Sequence, residues 1–303
     1  MEQSFAQPLS FLFIIFLANL LKRIGLFGKD DFKVLAKITI NVTLPSAIIA
    51  SFDSFSMDYS LLVLVLVGIL SNSILMAVSY WIMRKESNYK KSYALLNGAT
   101  YNIGNFSFPF IQGLFGASGM VVAALFDLGN ALMATGFTYS LAASVAGNIR
   151  PNPKDLVKKL FESVPFDTYL VMLLLSFLNI HLPSTMAQTM QLIGKANPIV
   201  AMFMIGLMLD LHFEKDWIKD SVKMLLVRYL GAIAFSLAVW YFTPWTQVVK
   251  ITLTLLFFSP ISTISSAFTE RCTHDGRLSS FTTSLSVIAG ILLYMILIPI
   301  LTA

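Results

Sequence analysis

The sequence predicts an all-α polytopic membrane protein, on three observations. Only 12% of the 303 residues are charged and 56% are hydrophobic, with a mean hydropathy of +0.76, whereas a soluble domain carries roughly 25% charged residues. The remaining charges come in clusters, separated by apolar stretches of about 20 residues, the length that crosses the hydrocarbon. The clusters also alternate in sign bias along the chain. Water-soluble folding cannot hide so many long apolar runs.

The apolar stretches predict ten spans, near 7–27, 34–52, 59–83, 92–115, 118–146, 165–184, 187–211, 221–243, 247–270 and 279–301. Nineteen of the 21 Lys and Arg residues fall in the odd-numbered connections. They are Lys22, Arg23, Lys29, Lys33 and Lys37; Arg84, Lys85, Lys90 and Lys91; Arg150, Lys154, Lys158 and Lys159; Lys215, Lys219, Lys223 and Arg228; and Arg271 with Arg277. The even connections have none, and the second carries Asp53 and Asp58. Short loops rich in Lys and Arg stay in the cytoplasm, so the odd loops are expected inside and both termini outside an inner membrane. This bias also accounts for the net charge of +5, and no nucleic-acid partner is expected. Asp155 to Phe161, in the longest loop, reads either as a short interfacial helix or as a basic connector. Asp210 and Glu270 end inward-running spans, where they would face water or pair with nearby bases.

Other chemistry is sparse. Cys272 is the single cysteine, and His181, His212 and His274 show no ligand spacing. No disulfide, metal or cofactor is expected. The start, Met1-Glu2-Gln3-Ser4, lacks a basic n-region, so no cleavable signal peptide is expected. No paired catalytic aspartates and no serine–histidine arrangement occur in the spans, so no enzyme is expected. Gly129 and Gly136 are expected to let helices approach closely, and Gly116 and Gly119 to form a tight outer turn.

Five spans precede the longest loop and five follow it, so the second half begins on the opposite side from the first. Halves sharing a fold would be inverted-topology repeats, the first over 1–147 and the second over 165–303, with a cytoplasmic linker over 148–164. Interruptions sit in matched spans. Asn41-Val42-Thr43-Leu44-Pro45 in the second span has a counterpart in Lys195-Ala196-Asn197-Pro198 in the seventh. The fourth span holds Tyr101-Asn102-Ile103-Gly104-Asn105-Phe106-Ser107-Phe108-Pro109, and the ninth holds Ser259-Pro260-Ile261-Ser262-Thr263. Pro109 and Pro260 each remove a donor and clash with the preceding turn. Freed backbone groups at membrane depth need polar partners, which Asn102, Asn105 and Ser107, and Ser259, Ser262 and Thr263, could supply. Each half-helix after a break starts with unpaired N–H groups at a positive dipole end. Two such ends converging would hold a carboxylate without an arginine. The competing reading is a proline kink patched by polar groups.

Two charges lie inside spans. Asp127, in the fifth, is a proton-coupling candidate or a structural group near the outer end, hydrogen-bonded to Asn130 or to a neighbouring helix. Lys195, in the seventh, either attracts the anion or snorkels outward. Lys250, opening the ninth, reads as a snorkelling residue.

At these segments the chain resembles the auxin efflux carrier family, which holds plant auxin exporters and many bacterial permeases. The resemblance runs through Asn41 to Ile49, Asn102 to Pro109, Leu114 to Gly119, Ile193 to Pro198, Ile205 to Leu209, Ser259-Pro260 and the closing Ile298-Pro299-Ile300-Leu301. It implies ten helices in two inverted five-helix repeats, with broken helices 4 and 9 crossing at their prolines and a carboxylate held at the crossing. Asn102, Asn105, Pro109 and Pro260 carry over by position. The family often has glycine where this chain has Ser107, so substrate identity does not transfer. The expected site is therefore Asn102, Gly104, Asn105, Ser107, Pro109, Ser259, Pro260, Ser262, Thr263, Asn41, Lys195 and Asn197. The expected activity is secondary transport of a small organic anion, malate-like or auxin-like, across the cell membrane by alternating access. The alternatives are a sodium-coupled organic-anion symporter and a membrane anion receptor that does not transport. The expected partners are that anion, the lipid bilayer and a second copy in a homodimer.

Overall fold

The computed structural model describes residues 2–28, 30–55, 58–147, 152–209 and 215–302 (side chains from residue 8 onward, Pro153 excepted). Met1, Lys29, Arg150, Asp210 and His212 lie outside the described residues, as do positions 148–151 at the head of the expected linker. The helices are α1 (Glu2–Arg23), α2 (Phe32–Ile38), α3 (Leu44–Ser54), α4 (Val63–Ile82), α5 (Asn88–Ala99), α6 (Phe108–Ala131), α7 (Tyr139–Ala146), α8 (Pro153–Leu160), α9 (Val164–Phe177), α10 (Ser184–Gly194), α11 (Asn197–Met208), α12 (Lys215–Phe242), α13 (Gln247–Phe257), α14 (Ile264–Thr273) and α15 (Arg277–Thr302). Wider π-helical turns join α2 to α3 (Thr39–Thr43), lead into α6 (Ile103–Ser107) and join α6 to α7 (Leu132–Thr138).

Six helical runs among the described residues are long and apolar enough to cross a bilayer. Counting α8 and α9 as one span bent by 78° makes seven. The shortfall from ten has a physical reason: several expected spans are not continuous helices. One run, Ile103–Ala146, is 44 residues long, about 66 Å of helix and twice a bilayer. It breaks at Gly116, whose φ of 55° and ψ of −135° suit only a residue without a Cβ. α13 has 11 residues, about 16 Å, which is half the hydrocarbon.

Many helices are apolar on the outside as well as within. Leu9, Phe13, Phe16 and Leu20 on α1, Leu66, Leu70 and Ile74 on α4, Leu226, Leu230, Ile233 and Leu237 on α12, and Leu292, Ile296 and Ile300 on α15 are all exposed. Their spacing of three and four puts each set on one stripe, a lipid-facing belt. Between helices, small residues set the approach. A Cβ on Gly129 would lie 2.2 Å from the Val65 carbonyl oxygen, and one on Gly68 would lie 2.4 Å from that of Phe126, so α4 and α6 touch backbone to backbone. Gly136, expected to play a similar part, faces open space.

Polar side chains close helix ends. Asn152 caps α8 through Lys154 N, and Lys159 lies over the Tyr139 ring at 4.2 Å. Lys22 donates to the carbonyls of Leu207 and Leu209, beside α11's last turn. Lys250 donates to the Trp240 carbonyl at 3.2 Å, near the end of α12. Glu270 is exposed to water, as expected, and its carboxylate also accepts the Gly276 N–H, shaping the turn into α15.

Candidate functional site at two meeting helix breaks

Both expected breaks are present, and they meet. α5 stops at Ala99 and α6 begins at Phe108; α13 stops at Phe257 and α14 begins at Ile264. The two unwound segments lie side by side and antiparallel, bridged at Tyr101 and Ile261. Asn102 donates its backbone N–H to the Pro260 carbonyl at 2.9 Å. Each break thus supplies part of what the other lacks, as buried backbone cut off from water requires. Pro109 stands in the first turn of α6, where a missing N–H costs nothing.

The hydroxyls pair more tightly than the sequence foretells. Ser107 and Ser259 hydrogen-bond each other between the two breaks. Tyr294 of α15 reaches both, 2.9 Å from Ser107 and 3.3 Å from Ser259, and donates to the Leu255 carbonyl at 2.6 Å. These three groups are buried and mutually satisfied. Ser262 and Thr263 stay half-buried at the start of α14, outside that cluster.

The first break is less complete. Asn102 is buried and makes no side-chain cap to the Ile103–Ser107 turn that leads into α6. Asn105 is half-buried, and its Oδ1 is sealed from solvent without a hydrogen-bond partner. Gly104 packs beside Leu44. The turn carrying all three lies against the Thr39–Thr43 turn, where Thr39 Oγ1 is likewise buried and unpartnered. Orphaned buried polar atoms are few in native proteins and each calls for an explanation.

Asn41 is not part of this site: it is exposed and donates to the Lys37 carbonyl one turn back. Its neighbour Thr43 faces inward instead and donates to Asn197 Oδ1 at 3.1 Å. Asn197, fully buried, donates to Gln112 Oε1 at 3.3 Å, and Gln112 donates to the Gly194 carbonyl at 2.9 Å. Gln112 and the exposed Lys195 line the same cavity of about 220 Å³, between α3, α6 and α10. Lys195 and Asn197 therefore share a neighbourhood.

Asp127 is tied to the first break through one intermediary. Its carboxylate accepts from Tyr169 OH and Asn130 Nδ2, both at 2.8 Å. Asn130 also brackets the first break, accepting from Tyr101 N and donating to Tyr101 O, each at 3.1 Å.

Arg228, counted by its charge among the loop residues, is instead midway along α12 and 1% exposed. It donates to the carbonyls of Gly98 (3.1 Å), Thr100 (2.7 Å), Ser259 (2.9 Å) and Pro260 (3.2 Å). The Tyr101 ring lies 4.9 Å below the guanidinium. The arginine thus caps the carbonyl-rich, negative ends of both α5 and α13 at once.

Residues 4–160 match the family model described as membrane transport protein, just over half of the chain. The chain belongs to this family. It is the auxin efflux carrier group whose resemblance runs through the broken segments. The chain is also similar to an uncharacterized transporter from the archaeon Methanothermobacter thermautotrophicus, 26% identical over 230 residues that cover 73% of each chain. The protein is a multi-pass membrane protein of a transport family, acting on a small solute in a lipid bilayer. Asn130 was expected as a partner of Asp127 and is one; Thr39, Thr43, Gln112, Tyr169, Arg228 and Tyr294 are the polar groups that sequence reading missed.

Proposed function

We propose that this family member carries a small carboxylate across the cell membrane by alternating access, with the solute seated at the crossing. The observation that carries the reading is the antiparallel meeting of two unwound segments, with Asn105 nearby holding a buried Oδ1 that has no partner. α6 begins there with a positive dipole end. Turned about its Cβ–Cγ axis, the Asn105 amide would offer Nδ2 to a carboxylate oxygen. With Ser107 and Ser259 committed to Tyr294, Asn102, Gly104 and Asn105 are the proposed contacts. Lys195, on the cavity shared with Gln112, would draw the anion in.

Ten spans fit this chain if the run broken at Gly116 counts as two, α8 with α9 as one, and the short helices on either side of each break as halves of one span. Halves 1–147 and 165–303 would then be inverted repeats, and one bundle would rock against the other about the crossing. The basic residues in the odd loops favour both termini outside. Malate-like acids are the substrate class suggested by bacterial members that the chain resembles. Asp127 would carry a proton, since its hydrogen bonds lead through Asn130 to the broken backbone.

The test is uptake of radiolabelled malate, with a panel of other carboxylic acids, into vesicles holding the purified chain. Asn102→Ala and Asn105→Ala should abolish flux while expression stays intact. Full transport in both would remove the site.

A further inference from the structure

A buried arginine is normally held by a carboxylate, because removing its charge from water is costly. Among the described residues no carboxylate pairs with Arg228. Its balancing partners are four backbone carbonyls, two at the end of α5 and two in the unwound stretch after α13. Its Nε is buried and makes no hydrogen bond. The guanidinium therefore spends its two terminal nitrogens entirely on the carbonyl ends of the two breaks.

Those carbonyls have a second use in membrane carriers. Where a helix unwinds at the midplane, its freed carbonyls and its half-helix C-terminal end form the oxygen cage that holds a coupling sodium ion. A sodium ion and a guanidinium both answer the same negative potential, and one position cannot hold both. An arginine keeps its charge in any protein environment and is covalently fixed to α12.

We propose that Arg228 is a resident cation occupying the place a coupling sodium ion would take, so that carboxylate movement by this chain needs no sodium. The proposal rests on the carrier reading above for its second half only; its first half concerns a cation site and stands on the geometry alone. Arg228 is a positioning residue in this scheme. It neutralises the carbonyl ends and leaves the amide end of α6 as the exposed charge for the anion.

The experiment has a substrate-free arm and a flux arm, both on the full chain. Melting of the purified wild type is compared in sodium, potassium and choline chloride at equal ionic strength. The expected result is agreement within about 1 °C, whereas filling an empty cation site raises the melting temperature by several degrees. A rise specific to sodium would overturn the proposal. In proteoliposomes, wild-type uptake of radiolabelled malate should be equal in sodium and choline, and a requirement for sodium would overturn it as well. R228A should lose about tenfold or more of that uptake, since four carbonyls are left without a cation. Guanidinium ion at low millimolar concentration should then restore part of the uptake in R228A and none in the wild type. R228A moving malate at the wild-type rate in choline would defeat the assignment. If R228A does not fold, R228K is read instead: it keeps a charge on a single point donor and should retain more uptake than any neutral variant that expresses. If the wild type moves none of the tested acids, the carrier reading has failed, and the melting arm still decides whether a cation site is open.

Discussion

The two breaks share a cause and differ in completeness. Each interrupts a helix near a proline, and each leaves backbone groups that lipid cannot satisfy. At the second break the account closes: Ser259 meets Ser107 and Tyr294, Ile261 N takes Ser286 Oγ at 3.0 Å, and Arg228 takes the Ser259 and Pro260 carbonyls. At the first break the backbone is served by Pro260, Asn130 and Arg228, yet Asn105 keeps a sealed and unpartnered oxygen. The contrast separates two jobs that the sequence presents as one. The second break is a welded joint, and the first keeps an amide oxygen that nothing in the fold pairs.

Substitution should pull the two apart in opposite directions. The largest effect on transport is expected from Asn105→Ala. The variant removes an atom that has no partner in the empty protein, so stability should hold or rise slightly. Uptake of radiolabelled malate should fall by about 1.4 kcal/mol of solute stabilisation or more, which is tenfold. A fall in melting temperature together with intact uptake would mean that Asn105 serves the fold and not the solute. Next in size is Asp127→Asn. The wild type should respond several-fold to an imposed pH gradient, and the variant should transport at a rate the gradient does not alter. An unchanged response in D127N would leave Asp127 a purely structural partner of Tyr169 and Asn130.

How much of this could be read in the residues follows from what each signal depends on. The breaks were legible, because proline removes a hydrogen bond wherever it stands and Asn-Ile-Gly-Asn before Pro109 is a local motif. The turn at Gly116 was legible for a similar local reason. Arg228 was not. Counting basic residues near span ends assigns a side, but it cannot report depth, and α12 runs 28 residues from Lys215, which carries Arg228 well past its loop. Asn130 was legible as the partner of Asp127 three positions away, but not as the bracket on Tyr101, 29 positions away; Tyr169 and Tyr294 were hidden because their partners lie 42 and 187 positions away, and no spacing rule in a single chain joins such pairs. Asn41 was misplaced by its proximity to Pro45. On a π-helical turn the residues that face inward shift, and Thr43 took the buried position.

The closed break predicts the converse of the incomplete one. Tyr294→Phe keeps the ring against Phe106 and Phe110, whose centroids lie 5.1 and 5.0 Å away, and deletes only the hydroxyl. It leaves the Leu255 carbonyl and both serines short of a partner. The expected cost is about 1–2 kcal/mol, a drop of about 2–6 °C in melting temperature, with malate uptake within about twofold of wild type, a difference under 0.5 kcal/mol. Loss of uptake with unchanged melting would move the solute to the second break and reverse the contrast.

The smallest effect should come from a hydrogen-bonded acid beyond both breaks, in the turn between α14 and α15. Asp275 takes the Arg277 side chain through two hydrogen bonds of 3.0 Å and also accepts the Arg277 backbone N–H. These contacts hold its carboxyl below the ordinary value of 3.8. A group whose folded-state value is depressed stabilises the fold above its unfolded value, and that contribution is lost as pH falls through the folded one. At neutral pH, Asp275→Asn should therefore lower stability, and the difference from wild type should shrink below pH 4. The pair is open to solvent, with 74% of the Arg277 side chain and 35% of the Asp275 side chain exposed, so water and salt screen it and the cost is about 0.5 kcal/mol or less. Melting curves at neutral and acidic pH, in low and high salt, measure this directly. If Asp275→Asn instead cost as much as Tyr294→Phe, the ranking by depth would fail, because an exposed ion pair would then be holding the second broken helix as firmly as the buried hydroxyls do.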